Sequence, residues 1–136
     1  MGLVRVILVE DNAGFRESLK RILSYRYPIM QLIEAKDGKE AISKTDCYPP
    51  DLVFMDIHLP DKNGLELTHE IKSRYPDAII VVLSNFDFPE YQDAAYRSGA
   101  SYFVSKDASM GDFLALIERI MANGVKSRSS YPGIEV

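Results

Sequence analysis

The 136-residue sequence predicts an α/β fold, a doubly wound parallel sheet of five strands sandwiched by five helices. Two observations predict it. Five short apolar runs alternate with five segments whose apolar residues recur at helical spacing, and short loops join them. Alternation of this kind argues for right-handed crossovers between parallel strands. The strongest runs are continuous rather than alternating, which suits strands buried on both faces. A single domain is expected at this length, with enough chain to bury a core.

The elements follow in order. Leu3 to Val9 is an apolar, β-branched run and reads as the first strand. Phe15, Leu19, Ile22 and Leu23 make one helical stripe, stopped by Pro28. Ile29 to Ala35 is a weaker strand, after which Asp37 and Glu40 form an acidic version of a capping box. Pro49 and Pro50 break the chain before Asp51-Leu-Val-Phe-Met, a third strand ending at Asp56. The loop IHLPDKNG leads to a helix carrying Leu67 and Ile71 and closed near Pro76. Ala78 to Leu83 is the fourth strand, ending at Ser84. Pro89 suits the first turn of the next helix and Gly99 its end. Tyr102, Phe103 and Val104 form the fifth strand, ending near Lys106. Ser109 and Asp112 open a last helix with Phe113, Leu116, Ile117 and Ile120 on its apolar face. Residues 1–123 are thus read as the domain, and the polar, aperiodic 124–136 as a tail or linker stub.

Composition narrows the function classes. Hydrophobic residues at 46% and charged residues at 26% describe a globular protein, not a disordered one. The net charge of −4, with no basic stripe, argues against direct nucleic-acid binding by this domain. Cys47 is the single cysteine, so no internal disulfide can form and a reducing compartment is expected. With no long apolar span and no signal peptide, the expected location is the cytoplasm, away from membranes.

In an open α/β sheet, ligands bind beyond the carboxyl ends of the strands. Collecting the residues there brings together Glu10 and Asp11, Asp56, Ser84 and Lys106. Three crowded carboxylates repel, one pair costing about 4 kcal/mol at 4 Å and an effective dielectric near 20. Either one takes up a proton or a hard divalent cation joins them, and Mg²⁺ suits few carboxylates with waters and a phosphate to come. Lys106 adds a positive charge opposite the acids. The set reads as a phosphate-handling site. No G-x-x-x-x-G-K-[ST] loop, H-E-x-x-H pair or paired cysteines offers a nucleotide or zinc alternative. Asp61-Lys-Asn-Gly64 fails as an EF-hand loop, because its first ligand would be Leu59.

These residues resemble the receiver domain of two-component response regulators. The likeness runs from about Val4 to about Ala122: the acid pair Glu10-Asp11, Asp56 in D-I-H-L-P-D-K-N-G, Ser84 after the fourth strand, and G-A-S-Y-F-V-S-K closing on Lys106. The resemblance implies a flavodoxin-like sheet of order 2-1-3-4-5. It implies that Asp56 accepts a phosphoryl group from a histidine kinase or phosphotransfer protein. It implies Mg²⁺ held by Asp11, Asp56 and the backbone carbonyl of His58, with Glu10 acting through water. Lys106 would pair with Asp56 and then with the phosphoryl group, and Ser84 would bond another phosphoryl oxygen. Phe103, three residues before Lys106, falls at the switch aromatic. The implied output is a shift of the fourth helix, fifth strand and fifth helix. No enzyme turning over free substrates is implied, beyond self-catalysed phosphoryl transfer and dephosphorylation.

Two departures are informative. Asp107 follows Lys106 where many receivers have a cis proline, so a trans bond is expected. The Lys-Asp pair resembles receivers that precede a LuxR/NarL-type DNA-binding domain, which favours an excised domain controlling transcription over a stand-alone receiver acting by protein binding. Tyr102 stands where that subfamily usually has glycine and competes with Phe103 as the switch ring. His58, His69 and Cys47 are read as carrying no chemistry of their own through their side chains. Leu114 and Met121 widen the apolar face of the last helix, leaving open a partner face shared with Tyr91 and Tyr102. A homodimer through the fourth helix–fifth strand–fifth helix face, or through the first and fifth helices, would use it. A magnesium-dependent hydrolase of small phosphoesters is the reading from another class. It needs a general acid near Asp56, and Glu10 is the best candidate.

Overall fold

A computed structural model describes residues 2–125. All ten predicted elements are present in order: β1 (Val4–Val9), α1 (Ala13–Arg26), β2 (Met30–Ala35), α2 (Gly38–Cys47), β3 (Leu52–Asp56), α3 (Gly64–Arg74), β4 (Ile79–Ser84), α4 (Pro89–Ser98), β5 (Tyr102–Ser105) and α5 (Met110–Asn123). The expected tail lies outside the described residues except for Gly124 and Val125.

The strands form one parallel sheet in the order β2-β1-β3-β4-β5. Strand alternation divides the core into two layers. On one face Val4, Val6, Leu8, Leu52 and Phe54 meet Leu19 and Leu23 of α1 and Phe113, Ile117 and Ile120 of α5. On the other, Ile7, Val9, Val53 and Met55 meet Ala41 of α2, Leu67 and Ile71 of α3 and Ala95 of α4. The continuous apolar runs are therefore the central strands, with β3 buried throughout. The weaker β2 is an edge strand, half-buried through its middle.

Three helices end the same way. Tyr27, Tyr48 and Tyr75 cap α1, α2 and α3 with φ near −130° and ψ near 80°, and each precedes a proline. The residue before proline is pushed out of the α region, so the tyrosine is the last position the helix can reach. The first helix thus stops one residue before Tyr27 rather than at Pro28 itself. The capping box at α2 is also rearranged. Asp37 accepts from Glu40 N–H at 2.8 Å, while Glu40 accepts from Lys36 N–H at 3.0 Å instead of from the cap residue. Pro89 opens α4 and Gly99 closes it at φ +113°, a left-handed conformation glycine adopts without penalty. Among the described residues there is no cis peptide, so Lys106–Asp107 is trans as expected. No helix among them is long and apolar enough to cross a membrane.

Candidate functional site

The strand order reverses between β1 and β3, which opens a crevice at their carboxyl ends. Glu10 leaves β1 and Asp56 ends β3 at that point. Glu10, Asp11 and Asp56 each offer an oxygen within 4.8 Å of the others. Glu10 and Asp56 are 1% and 2% exposed, whereas Asp11 faces solvent. Neither acid of the pair after β1 caps the helix. Asn12 does so, accepting from Phe15 N–H at 2.9 Å, and both carboxylates stay available to the crevice.

Lys106, at the end of β5, reaches back across the sheet edge. Its Nζ lies 3.5 Å from Asp56 Oδ2, the expected pairing, and closer still, 2.8 Å, to Glu10 Oε1, a partner the sequence reading did not assign. The Glu10 contact is an ion pair without hydrogen-bond geometry: Oε1 is buried, and among the described residues no hydrogen bond reaches it. Phe15 supports the ammonium from α1, its ring centre 4.9 Å from Nζ. Asp56 Oδ1 accepts from His58 N–H at 3.0 Å. Burial, then the charge of Glu10, raises the Asp56 carboxyl from its ordinary 3.8 to about 7, against the opposing pull of the His58 N–H and Lys106. Three carboxylates gathered within 4.8 Å, two of them buried and sharing one ammonium, fit a hard divalent cation such as Mg²⁺.

Ser84 ends β4, fully buried, and accepts from Phe86 N–H at 3.0 Å through its hydroxyl. Its carbonyl accepts from Lys106 N–H at 2.7 Å, which ties the β4 and β5 ends together. All five sequence-selected side chains thus sit on the carboxyl edge of adjacent strands. Tyr102 and Phe103 separate: Tyr102 packs against the α1/α5 layer, and Phe103 against the layer that contains α4. Tyr91 does not join Tyr102. It packs at the start of α4 with His58, Phe86 and Phe88, while Tyr102 lines a groove with Tyr96, Leu116 and Arg119.

Sequence reasoning missed three supports. Arg16 donates to the Glu10 carbonyl at 2.6 Å and to Glu34 at 3.0 Å, bracing the turn after β1. Gly64 N–H donates to the Ile57 carbonyl at 2.8 Å, closing the loop after β3 on itself. Asp61, in that loop, accepts from the N–H groups of Gly38 at 2.8 Å and Lys39 at 3.0 Å. It is therefore a second cap for α2, and no local spacing could reveal a cap 23 residues away. These backbone bonds, the Gly38 one first, hold the Asp61 carboxyl below its ordinary range. A depressed acid contributes stability above its unfolded pKa that is lost as pH falls through the folded one. Asp61→Ala is expected to lower the melting temperature at pH 7, with the difference from wild type shrinking toward pH 3.

Comparison with known proteins agrees with this geometry. The family described as the response regulator receiver domain matches residues 6–118. The chain is 34% identical over 123 residues to the transcriptional regulatory protein DegU of Brevibacillus brevis, covering 89% of this chain and 51% of that protein. It is 30% identical over 118 residues to the oxygen regulatory protein NreC of Staphylococcus aureus, covering 86% and 54%. The chain spans about half the length of these curated relatives. Among solved structures, a LuxR-family two-component response regulator from Aurantimonas sp. superposes with a TM-score of 0.80 at 30% identity, covering 89% of this chain and 86% of that one. A CheY-like receiver from Methanospirillum hungatei shares the fold, with a TM-score of 0.81 at 23% identity over 89% and 95% of the two chains. The chain belongs to the response regulator receiver domain family, with the receivers of LuxR-family regulators.

Proposed function

We propose that this chain is the phospho-acceptor unit of a two-component regulator, with residues 1–123 as the receiver and 124–136 as linker. The observation that carries the proposal is the buried Asp56 carboxylate, between the acids of β1 and the ammonium of Lys106. An oxygen of Asp56 attacks the phosphorus of a phosphohistidine on a kinase or phosphotransfer protein. The P–O bond forms as the P–N bond breaks, the electron pair returns to the imidazole, and an acyl phosphate remains. Positioning and charge neutralisation do most of this work, which is why so few side chains are needed. Asp11, Asp56 and the His58 carbonyl would hold Mg²⁺, with Glu10 through water; the cation supplies positive charge against the incoming phosphate.

Lys106 exchanges its carboxylate partners for a phosphoryl oxygen, and Ser84 rotates its hydroxyl from Phe86 N–H to another. Phe103 is the switch ring, because it packs on the layer that contains α4. Output passes through α4, β5 and α5 as a population shift. The half-length coverage of the curated relatives, one of them a transcriptional regulatory protein, supports an effector beyond this chain that controls transcription, DNA-binding and cytoplasmic in this reading. The domain itself signals and is not a turnover enzyme.

Intact-mass spectrometry after incubation with acetyl phosphate tests this reading. One phosphoryl adduct is expected on wild type, dependent on Mg²⁺ and absent from Asp56→Asn. Steady phosphate release from several phosphoesters, indifferent to the substitution, would replace the receiver reading with a hydrolase.

A further inference from the structure

We propose that an aromatic knuckle at the start of α4 is a docking surface for a basic segment of another protein, one with an apolar side chain flanked by arginine or lysine. Phe86 and Phe88 are 44% and 53% exposed, although large apolar side chains gain by burial. Their rings stack with centres 6.3 Å apart and planes 11° from parallel. Tyr91 closes the group at 6.1 Å from Phe86 and 6.0 Å from Phe88. His58, from the loop after β3, meets the Phe86 ring edge-on at 5.4 Å. Four rings, from two loops and the first turn of α4, thus form one platform, with Tyr91 half-buried and the other three exposed.

The rim fixes the charge of the occupant. Asp87, Glu90 and Asp93 neighbour the rings in sequence and are exposed, and none is in an ion pair among the described residues. Between Arg74 and Arg97 the sequence has no Lys, Arg or His. Aromatic faces carry a negative quadrupole, and carboxylates beside them add to the same field, so a cation with an apolar neighbour is favoured on both counts. An anionic membrane surface or a nucleic acid is repelled by the same rim.

The platform is one backbone hydrogen bond away from the site on each side. His58 N–H donates to Asp56 and Phe86 N–H to the Ser84 hydroxyl, both at 3.0 Å. Changing the charge on Asp56 or turning Ser84 therefore moves two of the four rings, and by linkage docking alters the site in return. This coupling rests on the phospho-acceptor reading; the docking does not.

The test follows amide and aromatic NMR signals of the full 136-residue chain during titration with acetyl-Arg-Leu-Leu-Arg-amide, with the glutamate analogue as control. Saturable shifts at Phe86, Phe88, Tyr91 and His58 are expected with the arginine peptide only. Phe86→Ala/Phe88→Ala should weaken binding by about fivefold and Asp87→Asn/Glu90→Gln by about twofold, with the amide signals of the sheet core unmoved because all four side chains lie outside the core. Equal shifts with both peptides, shifts centred elsewhere, no shifts, or indifference to the ring substitutions would overturn the proposal. Shifts of the same signals on concentrating the protein alone would identify a second copy as the occupant and also overturn it. Repeating the titration on acetyl-phosphate-treated protein separates the coupling from the phospho-acceptor reading. An adduct with an affinity changed by about threefold or more supports it. An adduct with unchanged affinity overturns the coupling alone. No adduct, with the peptide preference intact, means that the phospho-acceptor reading has failed and the coupling with it, while docking stands.

Discussion

Gly64→Ala is expected to cost about 3–5 kcal/mol of stability, or to prevent folding, as measured by urea denaturation. The reason is close approach, not backbone freedom. A Cβ at Gly64 would strike the Asp56 carbonyl oxygen and lie 2.7 Å from Ile57 Cα, both backbone atoms that no rotamer change can move. Accommodating it would push the first turn of α3 off the end of β3 and displace Asp56 itself. A surviving variant should therefore also lose the Mg²⁺-dependent adduct. Gly111→Ala is the control: a Cβ there meets nothing within 4 Å among the described residues, and it should be neutral or stabilising by up to about 1 kcal/mol. The glycine of the D-x-x-x-P-x-x-x-G spacing is thus required by the backbone it covers.

Asp56→Asn is expected to stabilise the metal-free protein at pH 8 by about 1–2 kcal/mol, because relief of a buried charge outweighs the lost pairing with Lys106. The Asp56 carboxyl is raised from 3.8 to about 7 by burial first and Glu10 second. Between these values the folded chain holds a proton that the unfolded chain has lost, so rising pH favours unfolding. The contribution is complete below pH 4 and gone above pH 7. Asparagine carries no such charge. The difference between variant and wild type, measured by denaturation at several pH values, should therefore be flat near pH 3, grow across pH 4–7 and level off above. Millimolar Mg²⁺ should raise the wild-type melting temperature at pH 8 and leave the variant nearly unmoved. Equal pH curves for the two proteins would mean that Asp56 ionises normally in the fold.

The opening acids illustrate what was readable in the sequence. An apolar strand ending on Glu10-Asp11, a second ending on Asp56 and a third closing on Lys106 could be assigned to one edge, because parallel strands joined by helices all end on the same side. Partner choice within that edge was not readable. Lys106 sits nearer to Glu10 than to Asp56, which depends on side-chain reach across the sheet rather than on the order of elements. The apolar widening of α5 proved ambiguous for a similar reason: Leu114 and Met121 pack partly against the α1/α5 core, and a helix stripe does not say how far the neighbouring helix extends over it.

By itself the sequence determined the five strands, the five helices, their parallel arrangement and the five polar residues at the strand ends. Those follow from local periodicity and chain connectivity. Only the tertiary structure decided that Asp61 caps a helix 23 residues away, that Gly64 lies against the Asp56 carbonyl, and that His58 completes an exposed aromatic platform with Phe86, Phe88 and Tyr91. Each of these joins segments separated in sequence through contacts of a few ångströms. Such contacts are set by how the elements pack, and local pattern carries no record of them.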